Sequence, residues 1–125
     1  MKEDLLLRLI EKLIDSDSTA AVNEVGVTNL DYMHQGEYVL VRTYSAGVHF
    51  GKLVKRAGKE LVLDEARRIW SWDGAFTLSA VSVDGVGSAK VSTKVNQFLV
   101  TEAIEVMLLT EKAKGNLYGL QDYNG

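Results

Sequence analysis

The sequence predicts a mainly β chain of the α+β class: an N-terminal helix, then a small, strongly bent antiparallel sheet or barrel of about five strands. Three observations carry this expectation. Between Tyr38 and Val83, β-branched and aromatic residues come in strand-length bursts separated by turn residues. Residues 2–14 carry apolar residues at helical spacing. At 125 residues the chain can bury one core but is too short for two.

In the first segment Leu6, Leu9, Ile10 and Leu13 recur at helical spacing, and Leu5, Leu7 and Ile14 widen the stripe. Lys2, Glu3, Asp4, Arg8, Glu11 and Lys12 hold the opposite side. The helix is expected to end in Asp15-Ser16-Asp17-Ser18, whose short polar side chains compete for the backbone. So wide a stripe either closes the core across the sheet or joins a second copy of the chain. Residues 19–36 show no clean period and read as a connector.

From Glu37 the pattern is β. Residues 38–44 alternate Tyr38, Leu40, Arg42 and Tyr44 against Val39, Val41 and Thr43; Ser45-Ala46-Gly47 turns the chain and 48–55 return. Arg56-Ala57-Gly58-Lys59 makes the next turn, before a third strand at Leu61-Val62-Leu63. Asp64-Glu65-Ala66 bends the chain and Arg67–Trp72 extends again, up to the hairpin signal Asp73-Gly74. Thr77–Val83 reads as the next strand, and Asp84–Asn96 as a long hairpin tip or mobile loop. Phe98–Leu109 reads as β because Val100, Ile104 and Val106 alternate with Glu105, and a short helical turn is expected around Glu111–Leu117. The chain thus divides into a helix and connector (1–36), a small barrel-like domain (37–110) and a tail (111–125). Val39-Leu40-Val41, Gly47-Val48, Gly51-Lys52-Leu53-Val54 and Leu61–Ala66 resemble the first three strands of the Sm-like fold.

Composition narrows the function classes. The formal charge is −3, so the field of the whole molecule favours neither nucleic acid nor an anionic membrane. The absence of cysteine leaves no disulfide framework and no thiolate metal site, in keeping with a reducing cytosol. The N-terminal apolar run is broken by Arg8, Glu11 and Lys12, which reads as neither signal peptide nor membrane span.

Arg42-Thr43-Tyr44-Ser45-Ala46-Gly47-Val48-His49-Phe50-Gly51, Ala66-Arg67-Arg68-Ile69-Trp70-Ser71-Trp72, Gly74-Ala75, Thr77-Leu78 and Thr101-Glu102-Ala103-Ile104-Glu105 resemble a family of small proteins of unknown function from tailed phages and prophages. The resemblance covers roughly Glu37–Thr110. It implies a phage gene product acting in the cytoplasm of an infected bacterium, and it implies no activity.

The chemistry-bearing residues concentrate in two stretches. Arg42, Tyr44, Ser45 and His49 bracket one turn; Arg67 and Arg68 precede Trp70 and Trp72, which share a face if the segment is extended. Guanidinium forks match phosphate oxygens, and aromatic rings stack on bases. Each residue also has a plain structural reading: a tryptophan in the core, an arginine paired with Asp64 or Glu65, a satisfied strand histidine. Together they are expected to form a ligand site for a nucleotide-like anion.

Catalysis has little support. His34 and His49 are the only histidines, so no metal set is expected. Neither Ser45 nor Ser71 sits on a nucleophile elbow, and Gly85-Val86-Gly87 does not open a helix in this reading, so no cofactor is expected. The functional expectation is a non-enzymatic, homo-oligomeric binding protein that could sequester a nucleotide-like signal of host antiphage defence. An Sm-like nucleic-acid-binding module and a structural or accessory phage protein are the alternatives.

Overall fold

The structure, a computed structural model, describes residues 29–123. The chain divides into two compact units, Met1–Met33 and His34–Gly125. In the first, the described part is a 3-10 turn at Asn29–Tyr32, closed by the Met33 amide donating to the Leu30 carbonyl at 3.2 Å. The helix expected at residues 2–14, and most of the connector after it, lie outside the described residues.

The second unit is a strongly curled antiparallel half-barrel carrying two helices. Its strands are β1 (Tyr38–Thr43), β2 (Val48–Ala57), β3 (Glu60–Asp73), β4 (Ser88–Val91), β5 (Phe98–Val100) and β6 (Ala103–Leu108). Helix α1 spans Leu78–Asp84 and α2 spans Glu111–Tyr118. The sheet order is β4-β3-β2-β1-β6, with β5 paired separately on β3.

The turns expected after β1 and after β2 are in place, whereas Asp73-Gly74 closes no tight hairpin, because helix α1 follows it. After β1, Thr43 Oγ1 donates to the Gly47 carbonyl at 2.7 Å and accepts from the Ala46 amide at 2.8 Å, which fixes the loop before β2. Strand β3 is the centre of the sheet. At its start Leu61, Val62 and Leu63 pair with Val100, Leu99 and Phe98 of β5; near its end Ile69 and Trp70 pair with Val91 and Lys90 of β4. The bend expected at Asp64-Glu65-Ala66 is present: Glu65 has φ +55°, in the left-handed region. Three hydrogen bonds hold it. The Glu65 amide donates to Asn96 Oδ1 at 2.9 Å, and Tyr118 Oη donates to the Glu65 carbonyl at 2.8 Å. Tyr38 Oη donates to Glu65 Oε2, also at 2.8 Å.

Bending β3 brings its backbone close to β2 at Gly51. A Cβ there would lie 2.9 Å from the Asp64 carbonyl oxygen and 3.1 Å from Ala66 Cα. Only glycine admits that approach without moving one strand.

Two expectations are corrected. Thr77–Val83 is not a strand: Leu78–Asp84 is helix α1, inserted between β3 and β4. Thr77 caps it by accepting from the Ala80 amide at 3.1 Å, and Gly85, at φ +83°, ends it. Val81 is buried while Val83 is half exposed, as the helix packs one side on the core and turns the other to solvent. The stretch Asp84–Asn96 is not merely a loop, since Ser88–Val91 forms β4 against β3. Asp73 closes that hairpin across the inserted helix, accepting from the Ser88 amide at 3.0 Å and the Gly87 amide at 2.8 Å. The helical turn expected near Glu111 is α2, capped by Thr110, and Phe98–Leu109 is β apart from a break at Thr101-Glu102.

Hydrophobic residues pack on both faces of the sheet. Leu40, Phe50, Ile69 and Val91 meet Val81, Ala113 and Leu117 from the two helices. Val39, Val41, Leu53, Leu61, Leu63, Ala66, Val100 and Ala103 form a second buried cluster. Strand β1 therefore contributes three consecutive buried residues, Val39–Val41, instead of a single buried face.

The Gly51 contact generates a prediction. Gly51→Ala should lower unfolding free energy by roughly 1–3 kcal/mol, because the added methyl meets backbone that cannot rotate away. Urea unfolding of both proteins checks it; an unchanged midpoint would show that β2 and β3 approach less closely than described.

Candidate functional site

On one face of β3, where β5 has ended and β4 begins, the sheet leaves a cleft of about 420 Å³ lined by His49, Ala66, Arg68, Trp70, Ser92, Val95 and Phe98. It lies in the wedge between the two partners of β3, spanned by the backbone bridge of Ala66 to Val95 at 2.8 and 2.9 Å. Its lining is largely apolar, with Arg68 as its one fixed charge and no carboxylate among the described residues that form it. A chain of net charge −3 thus holds a local cationic site.

Register explains the convergence. Arg68 and Trp70 are two apart on β3 and share a face, and His49 on β2 is the direct partner of Arg68. Arg68 Nε donates to His49 Nε2 at 3.2 Å. The imidazole proton therefore sits on Nδ1, and this buried donor has no hydrogen-bond partner among the described residues. Burial, and secondarily the Arg68 charge, push the His49 pKa down to about 4, so the ring is neutral near pH 7. Phe98 packs against it with ring centroids 5.0 Å apart. Ser92 Oγ accepts from the Arg68 amide at 2.8 Å, fixing the strand beneath the guanidinium. The terminal nitrogens of Arg68 make no ion pair among the described residues, and Trp70 is 38% exposed. A cation without a carboxylate beside an accessible indole is an arrangement that can receive a planar anion.

The other expected site residues lie elsewhere. Arg67 points to the opposite face and is 2% exposed. It donates to the Ser92 carbonyl at 2.8 Å, the Leu117 carbonyl at 3.4 Å and Asp122 Oδ1 at 2.6 Å. Its partner is thus the C-terminal tail, not Asp64 or Glu65. Trp72 does not share a face with Trp70: Ser71 has φ +59°, the register shifts there, and Trp72 packs against the helix-side core. Arg42 stands exposed on β1, 3.6 Å from Glu105 of β6. Tyr44 is 78% exposed. Ser45 donates to Glu102 Oε1 at 2.7 Å and lines a smaller recess of about 130 Å³, for which His49 and Phe98 form a common wall with the main cleft.

Phe98, Ser92, Val95 and Ala66 complete the cleft and were not singled out from the sequence. The i, i+2 spacing of Ala66, Arg68 and Trp70 carries a signal for one wall only; β4 and β5 sit opposite through long-range pairing. Tyr123 also joins, edge-on to Trp70 with centroids 5.7 Å apart. Among the described residues no group of three His, Cys, Asp or Glu side chains could hold a metal ion, and no helix is long and apolar enough to cross a membrane.

The fold and the cleft define a small, curled β half-barrel with a mostly apolar pocket around a single guanidinium. The model of the family described as Domain of unknown function (DUF6948) matches residues 36–117, and the chain belongs to that family. No curated protein and no solved structure matches the chain.

His49 gives a pH signature. Its pKa is lower in the folded than in the unfolded chain, so below the ordinary value of 6.5 the unfolded state binds the extra proton. Stability should fall as pH drops from about 6.5 to about 4 and lose no more from this group below that. The loss should be at most about 3 kcal/mol. His49→Gln should remove this component, so wild type and variant should converge on acidification in urea unfolding at a series of pH values. A constant difference across that range would show the imidazole to be solvated.

Proposed function

We propose that this chain is a non-enzymatic binding protein whose cleft holds a nucleotide-like anionic small molecule. The observation that carries the reading is the pairing of Arg68, which has no carboxylate partner among the described residues, with an accessible Trp70 over a largely apolar floor. The cleft volume is that of small-ligand pockets, which start at roughly 300 Å³. A base lies against Trp70 and Phe98, and a phosphate meets the outer nitrogens of Arg68. The ligand supplies the counter-charge that the fold withholds. In the phage setting that the sequence resemblance implies, the protein removes a nucleotide signal of host defence by holding it. Assembly with a second copy fits the edge of β6, which among the described residues pairs only with β1 and leaves Ile104 46% exposed.

One observation favours a second reading, an Sm-like nucleic-acid-binding module: the last long strand, β6, returns beside β1, and the long central strand is sharply bent. That reading requires salt-sensitive binding of RNA or DNA.

Calorimetric titration with a panel of linear and cyclic nucleotides, alongside melting curves, separates the two. Wild type should bind a member of the panel. Arg68→Gln, which keeps a donor for His49, should bind it about 10- to 100-fold more weakly, the value of a lost charged hydrogen bond, with little change in melting temperature. No binding by the wild type, or equal binding by the variant, overturns the nucleotide reading.

A further inference from the structure

The face that carries Arg68 and Trp70 continues onto β4. Lys90 is the direct cross-strand partner of Trp70, and Ser92 sits opposite Arg68 through the Ser92 amide donating to the Arg68 carbonyl at 2.9 Å. Directly paired residues share a sheet face, so Arg68, Trp70 and Lys90 form a row of cation, indole and cation. The two cationic positions are offset by two residues along the strands, roughly 7 Å, and by one strand spacing, roughly 5 Å, across them.

The C-terminal tail completes the row. Asp122 pairs in parallel with Val91 beside β4, and the Tyr123 amide donates to the Val91 carbonyl at 2.8 Å. The buried Arg67 draws the Asp122 carboxylate towards the helix side. The next side chain, Tyr123, therefore falls on the cleft side, edge-on to Trp70, with Lys90 Nζ 4.9 Å from its ring centroid. Lys90, like Arg68, has no carboxylate within ion-pair distance among the described residues. A tyrosine face holds the ammonium in place without neutralising it.

Resting on the nucleotide reading of the cleft, we infer that Lys90 and Tyr123 form a second anion subsite and that the ligand is a dinucleotide. One phosphate meets Arg68, the other meets Lys90, and a base lies against Trp70 between them. A mononucleotide fills the Arg68 side and leaves the Lys90 side in water. Arg67 is the positioning residue for this subsite, acting through Asp122.

The test compares adenosine monophosphate, 5′-phosphorylated diadenylate and a twelve-residue oligoadenylate by quenching of tryptophan fluorescence, with calorimetry as the second readout. The diadenylate should bind at least about 10-fold more tightly than the monophosphate, the scale of one added charged contact. Lys90→Gln should erase that advantage and leave the monophosphate affinity as it was. Equal affinities for the two ligands, or a Lys90→Gln variant that weakens both alike, overturn the second subsite while the nucleotide reading stands. An affinity that keeps rising to the oligomer, beyond the gain from repeated sites, overturns the dinucleotide in favour of a nucleic-acid strand. If none of the three binds, the inference and the reading beneath it fall together.

Discussion

The close passage of β2 over the bent middle of β3 sets the geometry of everything else in this half-barrel. Glu65 takes a left-handed backbone conformation within a fourteen-residue strand, and Gly51 opposite it has no side chain to resist. A left-handed non-glycine residue costs about 1–2 kcal/mol. That cost is offset by hydrogen bonds between Glu65 and Asn96, Tyr118 and Tyr38, drawn from three separate parts of the chain. The phenols are shifted in keeping with this: burial, reinforced by Glu65, raises the pKa values of both Tyr38 and Tyr118, so both remain donors at neutral pH. Because β3 bends, it can pair with β5 before the bend and β4 after it. The cleft is the space between those two partners.

Strand alternation gives two adjacent arginines of β3 different tasks. Arg67 turns to the helix side, where it is buried and satisfied by two backbone carbonyls and Asp122. A buried guanidinium needs such partners, since an unpaired charge there would cost several kcal/mol. Arg68 faces the cleft and gives its Nε to a neutral histidine, with no carboxylate partner among the described residues. An imidazole with its pKa near 4 adds no competing charge at neutral pH, so the guanidinium keeps its full attraction for an anion.

Much of the β framework was legible in the sequence because its signals are local. The strand at Tyr38–Thr43, the turns before β2 and β3 and the bend at Asp64-Glu65-Ala66 came through in the structure, although β1 is buried on both faces and not on one. Thr77–Val83 misled because Val81 and Val83 imitate a period of two over a segment only seven residues long. The capping signals that mark it as a helix, Thr77 at one end and Gly85 at the other, were present but outweighed by β-branched content. The site was legible as a neighbourhood and not as a geometry. His49, Arg68 and Trp70 do converge, whereas Trp72 was assigned to their face because period two assumes an unbroken strand, and the left-handed Ser71 breaks it. Nothing in Arg67-Arg68 alone distinguishes the buried partner from the open one; that depends on Asp122, fifty-five positions away. Phe98 and Ser92 were out of reach for the same reason.

The proposed ligand site is the wedge between β4 and β5. A titration of isotopically labelled protein with 5′-phosphorylated diadenylate, followed by nitrogen–proton correlation spectra, tests it at residue level. The shifted resonances should cluster at the Arg68 Nε–H, the Trp70 indole N–H and the amides of Ser92, Val95 and Phe98, with the Trp72 indole unmoved. Shifts concentrated elsewhere, as around Tyr38, Leu109 and Lys114 on the other side of the sheet, or no shift at any concentration, would contradict the account.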